Sequence, residues 1–270
     1  MKHVLITGGP TNEAIDEVMK ITNMSTGSLS LDLAARALKE GDRVTLIINN
    51  SVLGSARFAR YGMDKDNPNL KVVPVESTQD MYEALEANSG LDVDVVIHAS
   101  AVGDYKPQFT FRMEDMAKEL VETLRALQDK EASLKTDYTD SDYEKAFLEV
   151  LADPNCKVKD DSKISSYEPN LTVKLTLTTK LISHLKEWYP NATLIGCKLL
   201  ENVTNEHLIE VATKLCVKNN MDYIMANDLK ELREGHPYRY LVTKDGFTGI
   251  RLNGEGDPAL LDYAAENWFK

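Results

Sequence analysis

The sequence predicts a doubly wound α/β fold, in which helices cover both faces of a mainly parallel sheet. Short runs such as Arg43–Ile48 and Val93–His98 carry Val and Ile at adjacent positions, which is typical of parallel strands that are buried on both faces. These runs alternate with stretches of helical periodicity, such as Thr26–Lys39. Strands that alternate with helices indicate a three-layer, Rossmann-like arrangement.

The predicted elements follow one another along most of the chain. The other predicted strands are His3–Thr7, Lys71–Val75, Leu171–Leu177, Ala192–Cys197 and Tyr223–Ala226. The other predicted helices are Thr78–Ala87, Thr179–Trp188, Thr204–Lys218 and Pro258–Trp268. Near the end, Asp245-Gly246 separates Tyr238–Thr243 from Gly249–Leu252. An Asp-Gly pair between two apolar runs predicts a β-hairpin.

The stretch from Gln108 to Ser162 interrupts the alternation. Met113–Asp129 and Ser141–Leu151 have helical periodicity, and the stretch is rich in Asp, Glu and Lys but contains no glycine. We interpret residues 108–162 as an acidic helical insertion that serves as a solvated lid or spacer. Because no Pro- or Gly-rich linker divides the chain, residues 1–270 are predicted to form one domain around this insertion.

Composition excludes several classes of function. The 270 residues carry a net charge of −12 without a basic run, which argues against a nucleic acid partner. The three cysteines, Cys156, Cys197 and Cys216, include no CxxC pair, so neither a disulfide framework nor a zinc site is expected, and no other metal site is predicted. Without a long apolar segment, the chain is expected to avoid membranes and to reside in the cytoplasm.

Two of four segments that follow predicted strands are suited to bind phosphate. Ligands of a doubly wound sheet bind outside the carboxyl ends of its strands. The first segment, Thr7–Glu13, contains Gly8 and Gly9, which either point N–H groups at phosphate or merely form a turn. The second runs from Ile21 to Gly27. Its Asn, Ser and Thr side chains either cap the following helix or help its N-terminus to bind an anion.

The other two segments are suited to a nucleoside. Ala99–Pro107 contains small residues that allow a planar group to approach the backbone, with Asp104 at the mouth of the cleft or in a structural role. Asn227 and Asp228 either bind a sugar or base edge or cap the next turn. The dinucleotide fingerprint GxGxxG is absent. No acidic residue ends the second strand, which argues against a dinucleotide-dependent oxidoreductase.

Six motifs in this order resemble phosphopantothenoylcysteine synthetase of the stand-alone bacterial type. They are VLITGGPTNEAID, ITNMSTG, ASAVGDYKP, SKISS, LIGCKLLENVTNEHL and DYIMANDL. The resemblance implies a ligase of coenzyme A biosynthesis that joins 4′-phosphopantothenate to cysteine through an acyl-nucleotide. It implies CTP as co-substrate, with ATP possible, Mg²⁺ on the phosphates, and release of CMP and pyrophosphate. It also implies a homodimer in which late strands form part of the contact.

The resemblance also implies roles for single residues. Asn23 matches the residue that holds the acyl-nucleotide, and Lys163 matches a lysine on a mobile flap. The implied nucleotide-binding residues are Gly9, Ala101, Asp104, Lys198, Asn227 and Asp228. The implied binding residues for substrate and phosphate are Ser25, Thr26 and Gly27.

Three departures from the family pattern keep other functions open. Most relatives have Gly at Pro10, Arg at Met19 and His at Met24. Proline removes an N–H that would bind phosphate. One alternative is therefore a divergent or non-catalytic paralogue that still binds nucleotide. The other is the dinucleotide-dependent oxidoreductase, which the missing fingerprint disfavours.

Overall fold

A computed structural model describes residues 1–61, 63, 66–134, 137–158, 163–165, 167, 169–252 and 258–269, apart from the side chain of Arg57. Contacts divide the chain into two compact units. The first comprises Met1–Asn12, Thr22–Asp104 and Thr179–Lys270, and the second Glu13–Ile21 and Tyr105–Thr178. The second unit encloses the predicted insertion and extends beyond it. A single domain with an insertion at residues 108–162 stays a prediction.

The elements follow the predicted order. The strands are β1 (His3–Gly8), β2 (Asn12–Ala14), β3 (Lys20–Thr22), β4 (Arg43–Asn49), β5 (Leu70–Val75), β6 (Val95–His98), β7 (Tyr105–Arg112), β8 (Lys157–Val158), β9 (Leu171–Leu177), β10 (Thr193–Leu200), β11 (Tyr223–Asp228), β12 (Arg239–Thr243) and β13 (Gly246–Leu252). The helices are α1 (Ser28–Lys39), α2 (Asn50–Leu53), α3 (Ala56–Arg60), α4 (Thr78–Ala87), α5 (Met113–Leu134), α6 (Asp140–Ala152), α7 (Leu185–Trp188), α8 (Asn205–Lys218), α9 (Leu229–Arg233) and α10 (Leu260–Asn267).

The first unit contains an eight-stranded sheet in the order β13-β12-β11-β10-β6-β1-β4-β5. The strands from β11 to β5 are parallel, while β12 and β13 add an antiparallel edge. The chain extends the sheet from β1 towards β5 and then crosses back to β6 on the other side of β1. This reversal confirms the doubly wound fold, and it is the point where such sheets bind ligands. The antiparallel pairing of β12 with β13 confirms the late hairpin.

Alternate residues of β1 pack into two apolar cores on opposite faces of the sheet. Val4 and Ile6 pack on one face with residues of α1 and α10. Leu5 packs on the other face with residues of α4 and α8. Because side chains of a strand alternate between faces, these contacts place helices on both sides of the sheet and confirm the three layers. Each fully buried Leu or Ile contributes about 1.5–3 kcal/mol to stability.

The second unit has a sheet of its own, in the order β8-β7-β9. Its antiparallel ladder pairs Thr110 with Val173 and with Val158. The prediction that residues 108–162 are helical was therefore wrong at both ends, since Gln108–Arg112 lies in β7 and Lys157–Val158 forms β8. The alternating sequence Phe109-Thr110-Phe111 favours a strand, and its partner lies far along the chain. The two predicted helices are present as α5 and α6.

One predicted helix is broken. Residues 179–188 form a short 3₁₀ turn, Leu181–Ser183, followed by the single turn of α7. The Ser183 hydroxyl donates to the Lys180 carbonyl at 2.6 Å, and such a local side-chain bond competes with the α-helical pattern. None of the described helices is both long and apolar enough to cross a membrane.

We predict that His98 makes stability depend on pH. This side chain is 7% exposed at the end of β6, and its Nδ1 lies 2.8 Å from the Thr7 hydroxyl oxygen. Burial lowers the pKa of His98 from 6.5 to about 4. As the pH falls from 6.5 to about 4, the unfolded chain takes up a proton that the folded chain excludes. The free energy of unfolding should therefore fall by about 3 kcal/mol.

Urea denaturation at several pH values tests this prediction. The His98→Gln variant should lose less stability than the wild type as the pH falls through this range. The exposed His207 gives the control, because His207→Gln removes an imidazole without altering the core. An equal acid response in His98→Gln and wild type would contradict the prediction.

Candidate active site

The predicted segments after β1 and β6 are joined at the carboxyl edge of the sheet. The Ala101 N–H donates to the Gly9 carbonyl at 2.9 Å, and the Thr11 N–H donates to the Ala101 carbonyl at 3.3 Å. Pro10 and Ala101 form an isolated parallel bridge between these bonds. The structure thus brings together Gly9 and Ala101, which the sequence predicted from separate motifs. Because Pro10 lies within this bridge, it also has a structural role in joining the two segments.

Thr11 connects further segments to this edge. Its hydroxyl oxygen accepts hydrogen bonds from the Gly103 N–H at 2.9 Å and from the Thr78 hydroxyl at 3.0 Å. Its carbonyl accepts a bond from the Thr22 hydroxyl at 3.3 Å. Thr11 has no exposed surface, so it fixes the loop that carries Asp104. Sequence reasoning missed this residue, because only its position directly after the glycine loop distinguishes it from other threonines.

Asn23 joins the second predicted segment to the third. Its amide nitrogen donates to the Ala101 carbonyl at 3.2 Å and to the Val102 carbonyl at 3.0 Å. An amide nitrogen has two N–H groups, so both are engaged. In this arrangement Asn23 holds the loop after β6. To donate to an acyl oxygen, as the resemblance implies, it must give up one of these bonds.

Two glycines allow the loop after β1 and the segment before α1 to pack against α2. Gly9 and Gly27 have φ angles of +78° and +68°, a region that favours glycine. A Cβ atom on Gly9 would lie 2.8 Å from Val52, and one on Gly27 would lie 3.0 Å from the same side chain. A side chain at either position would therefore collide with Val52 of α2. Because Gly27 adopts this conformation, α1 begins at Ser28 rather than at Thr26.

The N-terminus of α1 is suited to an anion. No side chain caps this helix, and the positive end of a helix attracts negative charge. Three hydroxyls lie beside it, since the Ser25 oxygen accepts a hydrogen bond from the Gly27 N–H at 3.4 Å and the Thr26 and Ser28 oxygens are 2.9 Å apart. Ser25, Thr26 and Gly27 thus surround one helix end, and binding of phosphate there stays a prediction.

Asp104 forms an ion pair with Lys180. Both side chains are largely exposed, at 68% and 59%, so the pair adds little to stability. It does place an ammonium group beside the predicted nucleotide residue. Sequence reasoning missed Lys180, because it assigned this residue to a helix.

The ends of β10 and β11 hold the remaining nucleotide candidates. Asn227 is only 9% exposed, and its side chain has no hydrogen-bond partner among the described residues. Its amide atoms are not among the fully buried groups without a partner, so the amide is accessible to a ligand. Lys198 is half-buried on β10, where it is in register with Ala226 of β11.

Asp228 caps α9. One carboxylate oxygen accepts bonds from the N–H groups of Lys230 at 2.8 Å and Glu231 at 3.3 Å, and the other accepts from Val203 at 3.1 Å. Burial opposes ionisation of Asp228, but the bonds from these amides outweigh it and lower its pKa. Both oxygens are thus engaged, and binding of nucleotide by Asp228 stays a prediction.

Lys163 belongs to the second unit. Its side chain is exposed, whereas that of Ile164 is only 4% exposed. The Ser162 and Ser166 positions of the SKISS motif lie outside the described residues. Within the part of the chain that the structure describes, no three acidic, His or Cys side chains form a group that would hold a metal ion.

The chain is similar to several known proteins. The model of the family described as DNA/pantothenate metabolism flavoprotein C-terminal domain matches residues 1–136. The coenzyme A biosynthesis bifunctional protein CoaBC of Thermococcus kodakarensis is 28% identical over 90% of the chain. Its Bacillus subtilis counterpart is 28% identical over 85%. The chain spans 45% and 41% of the lengths of these two curated relatives.

Solved structures extend the similarity to the whole fold. The crystal structure of the DNA/pantothenate metabolism flavoprotein from Streptococcus pneumoniae is 28% identical, with a TM-score of 0.70. The match covers 98% of this chain and 97% of that protein. A Cab2 mutant in complex with phosphopantothenate-cysteine has a TM-score of 0.56 at 16% identity, which indicates a similar fold.

We predict that the Thr11 hydroxyl stabilises this edge of the sheet. In Thr11→Val the shape is kept, but the Gly103 N–H and the Thr78 hydroxyl lose their acceptor. Loss of these two hydrogen bonds should lower the free energy of unfolding by about 1–3 kcal/mol, as measured by urea denaturation. Thr22→Val is the control, because Thr22 is exposed and should cost less. Equal losses in the two variants would contradict the prediction.

Proposed function

The chain belongs to the family of the DNA/pantothenate metabolism flavoprotein C-terminal domain, and we propose that it is a phosphopantothenate–cysteine ligase of coenzyme A biosynthesis. The curated relatives named above are bifunctional proteins of that pathway. Since the chain spans less than half of each, the ligase step is our proposal for the shared part. The reaction would join 4′-phosphopantothenate to cysteine through an acyl-nucleotide.

One observation carries the proposal: Asn23 connects the loop after β6 to an uncapped helix N-terminus. Its amide holds Ala101 and Val102, and Ser25, Thr26 and Gly27 follow it directly. In the proposed reaction the substrate carboxylate attacks the α-phosphate of the nucleotide, and pyrophosphate leaves. Such a transfer needs alignment and neutralisation of charge more than covalent help from the protein. Backbone N–H groups and hydroxyls at a helix end supply both.

The remaining residues have complementary proposed roles. The amide of Asn227, which has no partner among the described residues, is available to bind a base or sugar. Lys198 and Lys180, the partner of Asp104, are available to bind phosphates. Lys163 would place its ammonium against charge that develops on the α-phosphate or acyl oxygen. Mg²⁺, when bound to the nucleotide, would neutralise phosphate charge. We propose that it arrives on the phosphates, since the described residues include no acidic group of ligands.

We propose CTP as the nucleotide, with ATP as the alternative, because the sequence resembles the bacterial type. We also propose a cytoplasmic homodimer. β13 supports the dimer, because it is the terminal strand of the sheet, and a strand with one unpaired edge is able to pair with a second copy.

A divergent paralogue that binds nucleotide without catalysis is the second candidate. Pro10 supplies no N–H at the phosphate loop. Met19 and Met24 are 40% and 98% exposed, where most relatives have a basic residue or histidine. These three positions would weaken the binding of an anionic substrate while leaving the fold unchanged.

We predict release of pyrophosphate that depends on 4′-phosphopantothenate, Mg²⁺ and one nucleotide. The assay compares CTP with ATP, with and without cysteine. Lys163→Ala should lower kcat about 100-fold or more, because a charge that stabilises the transition state is lost, and Asn23→Ala should impair release as well. Lys218→Ala, in the exposed last turn of α8, is the control and should keep full activity.

The outcome separates the two candidates. Release with one nucleotide that both variants impair would support the ligase and identify its nucleotide. A folded protein that binds nucleotide but releases no pyrophosphate would refute the ligase and support the paralogue.

A further inference from the structure

Asp16 closes the turn between β2 and β3. Its Oδ1 atom accepts hydrogen bonds from the N–H groups of Val18 at 2.7 Å and Met19 at 2.6 Å. The Ile15 N–H also donates to the Met19 carbonyl at 2.8 Å. An Asp side chain that bonds to backbone two residues ahead is typical of a tight turn. This turn uses only one of the two carboxylate oxygens.

The second oxygen of Asp16 binds a distant segment of the same unit. Its Oδ2 atom accepts a hydrogen bond at 2.9 Å from the N–H of Ile164, which lies 148 residues further along the chain. The Ile164 side chain is 4% exposed. Residue 164 is thus held both through its backbone and by the burial of its side chain. Lys163 and Ser165, on either side, are exposed.

The charges around Asp16 favour this contact. The N–H of Ile164 lowers the pKa of the Asp16 carboxyl most, followed by those of Met19 and Val18, and the nearby charge of Lys163 lowers it further. Asp16 is therefore ionised at neutral pH. An ionised oxygen is a stronger acceptor than a neutral one, so the bond to Ile164 is of the stronger kind.

We propose that Asp16 is a positioning residue for Lys163, because its carboxylate fixes the backbone directly beside that lysine. The inference rests on the proposed ligase function, in which the Lys163 ammonium stabilises developing charge. A lysine on a free loop would lose backbone and side-chain freedom in every turnover. Fixing residue 164 in advance reduces that cost and raises the fraction of time in which Lys163 is correctly placed.

The two oxygens of Asp16 allow the turn to be separated from the contact with Ile164. In Asp16→Asn the remaining oxygen still accepts the bonds from Val18 and Met19, so the turn is kept. The new NH₂ group then faces the Ile164 N–H, and two donors do not bond. The neighbouring Glu17 is exposed, and Glu17→Gln is the matched control, since it removes the same charge one residue away.

The first measurement does not depend on activity. Amide hydrogen exchange over residues 163–165 should become about tenfold faster or more in Asp16→Asn, because a bond to a charged acceptor is lost. Glu17→Gln should exchange like the wild type. Unchanged exchange in Asp16→Asn would overturn the proposal, whatever the enzyme does.

The second measurement is a double-mutant cycle in the pyrophosphate assay. Asp16→Asn should lower kcat about tenfold and leave KM for the nucleotide within about twofold. When Lys163 is already Ala, Asp16→Asn should cause no further loss. Independent, multiplicative losses would refute positioning through Lys163. A wild type without activity would instead refute the proposed function, and the exchange result would then decide alone whether Asp16 fixes this segment.

Discussion

The parallel alignment of β1 with β6 is the constraint on which the candidate site depends. Thr7 and His98 are direct partners in this pair, so both strands end at the same level. The loops that follow therefore meet, and Gly9 binds Ala101 through backbone atoms alone. Asn23 and Thr11 then attach further loops to this junction. A shift of one residue between the two strands would separate all of these groups, because each hydrogen bond is short and directional.

Much of the fold was predictable, because its signals are local. Thr78–Ala87 and Leu171–Leu177 have the bounds that their periodicity predicted, and each pattern depends only on neighbouring residues. The β7 strand was missed within an acidic stretch, because its partners β8 and β9 lie far along the chain. The broken helix before β10 is a different case, since the Ser183 hydroxyl bonds locally to the Lys180 carbonyl while the apolar pattern continues at Leu181 and Leu185.

The candidate site shows a similar contrast, since the motifs selected residues correctly but did not show which groups those residues contact. Motif order indicated the family, which the match over residues 1–136 confirms, and it selected Gly9, Asn23 and Ala101, which lie together. It did not reveal that both N–H groups of Asn23 donate hydrogen bonds, or that both carboxylate oxygens of Asp228 accept hydrogen bonds from backbone amides. The roles of Thr11 and Asp16 were also missed, because a sequence does not show which groups a hydroxyl or carboxylate will bind.

The sheet order has a consequence for synthesis of the protein. β6 lies between β1 and β10, yet β10 is translated long after β6, once all of Tyr105–Thr178 has been made. The nascent chain therefore exposes one edge of the apolar strand β6 while the ribosome synthesises the second unit. Pairing between such distant segments is slow, and exposed edges promote association with other chains. The central sheet therefore closes only after the second unit has been synthesised, and the edge of β6 stays open to other chains until then.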